Sequence, residues 1–256
     1  MRTLQRAGAG LLALTLATGI AACGSDDDKE ATADTSAAEG DNAAFCDALI
    51  DFNTAAFQVD ISDDTSEDDI KAAGEELGPL SEALEENAPE DLKASAKEVN
   101  DFVQPLREGD AGPFNQDSTF ETYMGFLGEA TSACDFDEVS VTGKDYAFEA
   151  PDTVKAGNVS FAFTNSSEGE DREMAVMQKA DGVDLSWEEL LALPEEEAMS
   201  KTKFITAAYS PPGEGGSTLA TLEAGDYVMV CFIPVAGAED GPPHFTQGMI
   251  HEFTVE

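Results

Sequence analysis

A change in the period of apolar residues near Val139 constrains the fold of this 256-residue chain more than any other feature. Before it, large apolar residues recur at helical spacing, as Phe45 and Leu49 do. After it, they alternate with smaller or polar residues, as Phe161 and Phe163 do. The first pattern is typical of amphipathic helices and the second of half-buried strands. We therefore expect an α+β fold of two domains, helical first and all-β second.

The helical domain is expected to span residues 44–136 as a small antiparallel bundle of four or five helices. Ser66 precedes three acidic residues, which is capping chemistry for a helix that begins there. Gly78-Pro79 predicts a kink or break, and Pro89 predicts a new helix with proline near its first position. A last helix should end near Cys134. Short loops between such helices favour antiparallel neighbours.

The β domain is expected to span residues 139–256 with seven or eight short strands. Tyr227, Met229 and Cys231 alternate along one of them, and glycines punctuate the stretches between strands. Ser186-Trp187-Glu188-Glu189 has the sequence of a capping box. It predicts one helix that interrupts the strands.

The first 22 residues have the organisation of an export signal. Arg2 and Arg6 are followed by the uncharged stretch Ala7–Ile20, which is too short to span a bilayer. The stretch ends in Ala21-Ala22-Cys23 and resembles a bacterial lipoprotein signal. The resemblance implies a signal peptide over 1–22, cleavage before Cys23 and acyl chains such as palmitate on that cysteine. An ordinary secretory signal with an incidental cysteine is the alternative.

The lipid implied at Cys23 places the protein on the extracytoplasmic face of the cell membrane. Residues 23–43 contain almost no large apolar residue, so we expect the lipidated cysteine to be followed by a disordered acidic tether. The whole chain has 53 acidic and 13 basic side chains, a formal net charge of −40. A field of this sign repels nucleic acid and anionic lipid. The predicted membrane attachment therefore depends on the lipid alone.

The four cysteines divide into three groups. Cys23 is assigned to lipid, and an exported protein meets an oxidising compartment. Cys46 and Cys134 flank the helical segment, so we expect a disulfide that ties its first helix to its last. Cys231 is then left without a cysteine partner.

The C-terminal part carries a family resemblance. Gly225–Pro234 leads to Pro243-His244, Gly248-Met249 and Phe253–Val255, in the order of the closing strand, ligand loop and last strand of a cupredoxin. Tyr146-Ala147-Phe148 and Val159-Ser160-Phe161 are similar to the family's opening strands. The resemblance covers roughly 139–256 and implies a Greek-key β-sandwich.

The blue-copper members of that family imply Cys231, His244 and Met249 as candidate metal ligands. The family's first copper histidine falls at Arg172, which cannot ligate a metal because its guanidinium stays protonated. Twelve residues separate Cys231 from His244, more than in typical copper members, so the inserted segment must fold aside to bring His244 back to the thiol.

A type 1 copper site needs two imidazoles, a thiolate and a weak axial methionine, and three interpretations follow. In the first, the cupredoxin-like domain has lost its copper and Arg172 fills the space, so there is no cofactor. In the second, Cu(I) is held by Cys231, His244 and Met249, with Met174 or Met177 nearby. In the third, His251 serves as the second imidazole of an electron-transfer site.

Enzymatic function is not predicted. Both histidines lie near the C-terminus and the chain has no Gly-x-Ser-x-Gly sequence, so no nucleophile–base triad is apparent. We expect a membrane-anchored, non-enzymatic binding protein whose cupredoxin-like domain lacks type 1 copper. A copper carrier or electron-transfer cupredoxin is the alternative.

Overall fold

The computed structural model describes residues 42–59, 61–62, 65–235 and 241–256. The signal peptide predicted at 1–22, the lipidation site Cys23 and nearly all of the tether lie outside these residues. Within the described ranges, no helix is both long and apolar enough to span a bilayer.

The N-terminal part is helical, as its apolar spacing predicts. Its elements are α1 (Ala43–Ala56), α2 (Glu67–Asn87), α3 (Lys93–Val103) and α4 (Asp117–Ala130), with 3₁₀ turns at Gln104–Glu108 and Thr131–Ala133. Ser66 caps α2 as predicted, because its hydroxyl accepts the N–H of Asp69 at 3.2 Å. Fully buried leucines such as Leu49, Leu77 and Leu127 form the core between the helices.

Of the kink or break predicted at Gly78-Pro79, the break is wrong, because α2 continues through Pro79 to Asn87. Proline inside a helix costs about 3 kcal/mol. Leu77 and Leu84 on either side are fully buried, and burial of two leucines stabilises by roughly 3–6 kcal/mol, which offsets that cost. The predicted start of a helix at Pro89 is also displaced. The carbonyl of Pro89 closes a turn with the N–H of Leu92 at 2.9 Å, and α3 begins at Lys93.

The predicted disulfide is confirmed. Cys46 in α1 is bonded to Cys134, just after the last helical turn, with 5.7 Å between their Cα atoms. Beside it, the side-chain amide of Asn42 donates to the carbonyl of Ala133 at 3.1 Å. Cys231 is a free and buried thiol. The helical segment therefore begins and ends at the same place.

The C-terminal part forms two sheets. Its strands are β1 (Asp137–Lys144), β2 (Ala147–Glu149), β3 (Thr153–Val154), β4 (Gly157–Asn165), β5 (Arg172–Lys179), β6 (Thr202–Ser210), β7 (Gly215–Leu222), β8 (Gly225–Val230) and β9 (Ile250–Val255). The sheet orders are β2-β1-β4-β7 and β3-β9-β8-β5-β6. Phe161 and Phe163 from one sheet share a core with Met174 and Met229 from the other. The Greek-key assignment and the division into two domains stay predictions.

Two short helices lie between β5 and β6, where one was predicted. Ser186 and Glu189 form the predicted capping box at the start of α5 (Trp187–Leu191), and α6 (Glu195–Met199) follows. Trp187 is 1% exposed and packs with Leu190 and Val230. Because neighbouring strand residues point to opposite faces, this cluster lies across β8 from Met229.

The helices pack directly against strand β7. Its side chains alternate, so that Leu219 belongs to the helical core and Ala220 to the core between the sheets. Asn53 of α1 is fully buried and donates to the carbonyl of Leu219 at 2.8 Å, while its own side-chain oxygen accepts from the Tyr123 hydroxyl at 2.7 Å. The described residues, from Asn42 onward, belong to one compact unit.

Candidate functional site

The three candidate ligands lie around the turn between β8 and β9. Cys231 directly follows β8, His244 opens a 3₁₀ turn, and Met249 directly precedes β9. The two ends of the inserted segment pair with each other: the N–H of His244 donates to the carbonyl of Ile233 at 2.9 Å, and that of Val235 donates to Pro242 at 3.0 Å. This pairing returns His244 to the thiol despite the length of the loop.

Cys231 and His244 are in direct contact. Their side chains are fully buried, and Sγ lies 3.3 Å from Nδ1. The backbone N–H of Glu173 also donates to Sγ, at 3.4 Å. Burial raises the pKa of the Cys231 thiol, and burial together with the charge of Arg172 lowers the pKa of His244. The pair is therefore a neutral thiol beside a neutral imidazole at neutral pH.

Arg172 is the first residue of β5 and is 2% exposed. Its Nη1 lies 3.1 Å from Nε2 of His244, and its Nη2 forms a 3.0 Å ion pair with Glu170. Its guanidinium carbon is 5.5 Å from the centre of the Tyr146 ring, a cation–π distance. Nη1 also donates to the carbonyl of Asp171 at 3.0 Å, whereas Nε is buried without a hydrogen-bond partner in the described part of the chain, so the buried guanidinium is only partly satisfied.

The contact with Arg172 favours the neutral tautomer of His244 in which Nε2 accepts and Nδ1 carries the proton, while the Glu170 carboxylate, 3.5 Å from the same Nε2, favours the opposite one; Arg172 lies closer, at 3.1 Å. A guanidinium only donates hydrogen bonds, so Nε2 accepts in its contact with Arg172. In a neutral imidazole the proton is then on Nδ1, which donates to the sulfur of Cys231. In this tautomer the proton on Nδ1 uses the lone pair with which that nitrogen would bind a metal.

Tyr146 reaches this network from a strained turn. It occupies the two-residue connection between β1 and β2 with Asp145, and its φ is +73°, which is unusual for a bulky residue. The turn holds the Tyr146 ring 5.5 Å from the His244 ring, centre to centre. The sequence analysis noted Tyr146 only as part of an opening strand, and it did not identify Glu170. The sequence there reads Glu-Asp-Arg-Glu, and nothing in it distinguishes Glu170 from its acidic neighbours as the ion-pair partner of Arg172.

Met249 is fully buried in the core that contains Cys231. A Cβ at Gly143 would lie 3.1 Å from the methyl carbon of Met249, so glycine on β1 leaves the space that this side chain fills. His251 lies apart from the cluster. Its Nε2 is 3.2 Å from the carbonyl of Pro151 and 3.7 Å from a carboxylate oxygen of Asp152.

The donor set does not fit type 1 copper. That site needs two imidazoles, and this cluster holds His244 alone, with Arg172 beside it and His251 elsewhere. Among the described residues, no group of three or more histidine, cysteine or acidic side chains is placed to hold a metal ion.

No protein-family model matches the sequence, and no curated protein matches it either. Among solved structures, the chain is similar to auracyanin from the photosynthetic bacterium Roseiflexus castenholzii, with 20% identity and a TM-score of 0.33 over 46% of this chain and 96% of that one. It is similar to the blue copper protein auracyanin A from Chloroflexus aurantiacus, with 18% identity and a TM-score of 0.32 over 46% and 98%. It is also similar to an amicyanin variant, with 17% identity and a TM-score of 0.26 over 46% of this chain and 82% of that one. These neighbours are cupredoxins.

Proposed function

We propose that this chain is an exported, lipid-anchored, non-enzymatic binding protein whose cupredoxin-like domain carries an internal Arg172–Glu170–His244 network in place of a type 1 copper site. The contact that carries the proposal is the 3.1 Å approach of Arg172 Nη1 to His244 Nε2, between two side chains that are 2% and 0% exposed. The lipid anchor at Cys23 is supported by the N-terminal sequence.

Two physical effects support the absence of copper. Arg172 supplies a permanent positive charge where the family's first ligand stands, which disfavours a second cation in a buried site. It also favours the tautomer of His244 with the proton on Nδ1, so that metal binding there requires loss of a proton or of the hydrogen bond to Arg172. Both effects weaken Cu(II) binding, and both come from the side chain of Arg172.

The test is a Cu(II) titration of the reduced protein, followed by the visible absorption that a thiolate–Cu(II) bond produces. We expect no intense band in the unaltered protein. Arg172→His restores the second imidazole and removes the charge, and we expect at least a tenfold gain in Cu(II) affinity. Arg172→Gln is the matched control, because it removes the charge without adding a ligand. An intense band in the unaltered protein would refute the proposal.

A second candidate is a Cu(I) carrier that uses Cys231, His244 and Met249. The convergence of Sγ and Nδ1 at 3.3 Å favours it, since a metal bonded to both would separate them by roughly 3.5–3.7 Å. Thiolate and thioether ligands suit Cu(I). Tight, colourless Cu(I) binding that Cys231→Ser abolishes would establish this function in place of the first.

A further inference from the structure

The helical part contains an aromatic cavity that the network around Arg172 does not involve. It lies among α1, α3, α4 and the loop before α4, and its volume is about 140 Å³. Six of its lining residues are aromatic: Phe52, Phe57, Phe102, Phe114, Phe120 and Tyr123. A cavity of about 150 Å³ holds one benzene molecule. The space therefore suits a compact ligand or one compact group of a larger ligand.

The rings are arranged edge to face. Phe52 and Tyr123 are 5.7 Å apart at an interplanar angle of 75°, and Phe102 and Phe114 are 6.3 Å apart at 66°. In such pairs, the face of one ring meets the edge of the other. Phe120 is 47% exposed, which is unusual for a large apolar side chain and leaves the cavity accessible from solvent.

The hydroxyl groups of the cavity are already engaged. The Tyr123 hydroxyl donates to Asn53 at 2.7 Å, and the Thr119 hydroxyl donates to the carbonyl of Pro113 at 2.6 Å. The described lining therefore presents aromatic rings to a ligand, and none of its hydroxyl groups is free to donate a hydrogen bond. A sugar, carboxylate or phosphate bound here would lose its hydrogen bonds to water without replacement.

The electrostatics of the site favour a cation over a neutral molecule. An adjoining depression shares Phe102 and Thr119 with the cavity, and its wall includes Glu98 and Asp101. Asp101 is paired with Lys97, whereas the structure shows no ion pair for Glu98 among the described residues. The whole chain carries a formal charge of −40, which attracts cations. Aromatic surfaces next to carboxylates suit an organic cation.

We propose that this aromatic cavity binds the quaternary ammonium group of a small organic cation. Such a group is compact, carries no N–H that needs an acceptor, and is attracted to aromatic rings. The proposal names the ligand class of the binding function proposed above and rests on that function.

The test compares two ligands of nearly equal shape by isothermal titration calorimetry on the full chain. Choline carries the trimethylammonium group, and 3,3-dimethylbutan-1-ol has carbon in place of the charged nitrogen. We expect choline to bind about tenfold more tightly, because a desolvated cation–π interaction and the acidic surroundings act on it alone. Equal affinity for the two ligands, or no binding of choline at millimolar concentration, would overturn the proposal.

A pair of phenylalanine variants locates the site. Phe120→Ala removes a ring at the cavity and should weaken choline binding several-fold. Phe232→Ala removes a ring that is 37% exposed in the β part, and it should leave the affinity unchanged. Circular dichroism confirms that both variants are folded. An unchanged choline affinity in Phe120→Ala would exclude this cavity. The copper titration of Arg172 variants does not involve the cavity, so the two proposals can fail separately.

Discussion

Asn53 should couple the unfolding of the helices to that of the β-sandwich. Its side chain is fully buried, donates to Leu219 on β7 and accepts from Tyr123 on α4. The period change near Val139 predicts two separable domains, but the buried amide of Asn53 forms hydrogen bonds with both parts. Asn53→Ala therefore tests whether the parts unfold together.

The expected loss of stability follows from the buried polar groups that the substitution leaves without hydrogen-bond partners. Asn53→Ala leaves a buried carbonyl at Leu219 and a buried hydroxyl at Tyr123 without their partners. Each unsatisfied group costs about 1–2 kcal/mol, so we expect the free energy of unfolding to fall by about 2–4 kcal/mol. For a chain of this size the corresponding fall in Tm is roughly 4–16 °C. Tyr123→Phe leaves only the side-chain oxygen of Asn53 without its partner, so it should lower the free energy of unfolding by about half as much.

Two optical probes separate the two parts of the molecule. The single tryptophan, Trp187, is buried against the five-stranded sheet, so its fluorescence reports on the sandwich. Circular dichroism at 222 nm reports mainly on the helices. We expect the two urea transitions to coincide in the unaltered protein and to shift together in Asn53→Ala. Asn158→Ala is the matched control, because its hydrogen bond with Thr221 is exposed and its loss should cost no more than about 0.5 kcal/mol.

One result would refute this reasoning. If Asn53→Ala shifts only the 222 nm transition and leaves the Trp187 transition in place, the buried amide does not couple the two parts. Domains that are separable near residues 136–139 would then be the correct description.

Three further predictions concern the disulfide, the expected lipidation site and one half-buried carboxyl. Cys46→Ser with Cys134→Ser should lower the free energy of unfolding by roughly 4 kcal/mol, because the disulfide closes a loop across 88 residues; chemical denaturation measures it, and a loss below 1 kcal/mol would contradict it. Cys23→Ala should abolish incorporation of labelled palmitate, and persistent labelling would exclude this cysteine as the anchor. Burial raises the pKa of Glu173, so the folded state binds its proton more tightly and stability falls as pH rises from about 4.5 through the folded pKa. Glu173→Gln should therefore stabilise the protein at pH 7 and not at pH 4 in thermal melts, whereas an equal effect at both pH values would argue against a titration effect.

Local sequence rules predicted the two serine-capped helix starts correctly and misplaced the features that depend on proline. Ser66 and Ser186 cap helices where expected, because an N-cap depends on a few neighbouring residues. The cost of Pro79 is local and visible in the sequence, whereas the burial of Leu77 and Leu84 that offsets it depends on packing partners distant in sequence. A Cβ at Gly74 would lie 2.4 Å from the backbone nitrogen of Arg107, so this close approach to the 3₁₀ turn depends on glycine, and nothing near position 74 in the sequence indicates it.

The candidate metal ligands and Arg172 were predictable from the sequence, whereas Glu170, the role of Tyr146 and the hydrogen bonds were not. The resemblance pointed to Cys231, His244 and Arg172 because a motif preserves residue order. The direction in which His244 presents its two nitrogens depends on how the inserted loop pairs with itself, and no motif encodes that. Asn53 was missed for a related reason: an asparagine within an apolar helix face has no recognisable pattern until its partners, Leu219 and Tyr123, are known.

The position of the disulfide bears on how far the β-sandwich can extend from a membrane. Asn42, at the start of the described chain, is hydrogen-bonded to Ala133, four residues before β1 begins. About ninety residues of helix therefore start and finish at one point and add almost nothing to the distance between residue 42 and the first strand. With an anchor at Cys23, the reach of the sandwich would be determined by the residues between Cys23 and Asn42 alone. Lengthening or shortening that segment would change this reach, whereas altering the length of the helices would not.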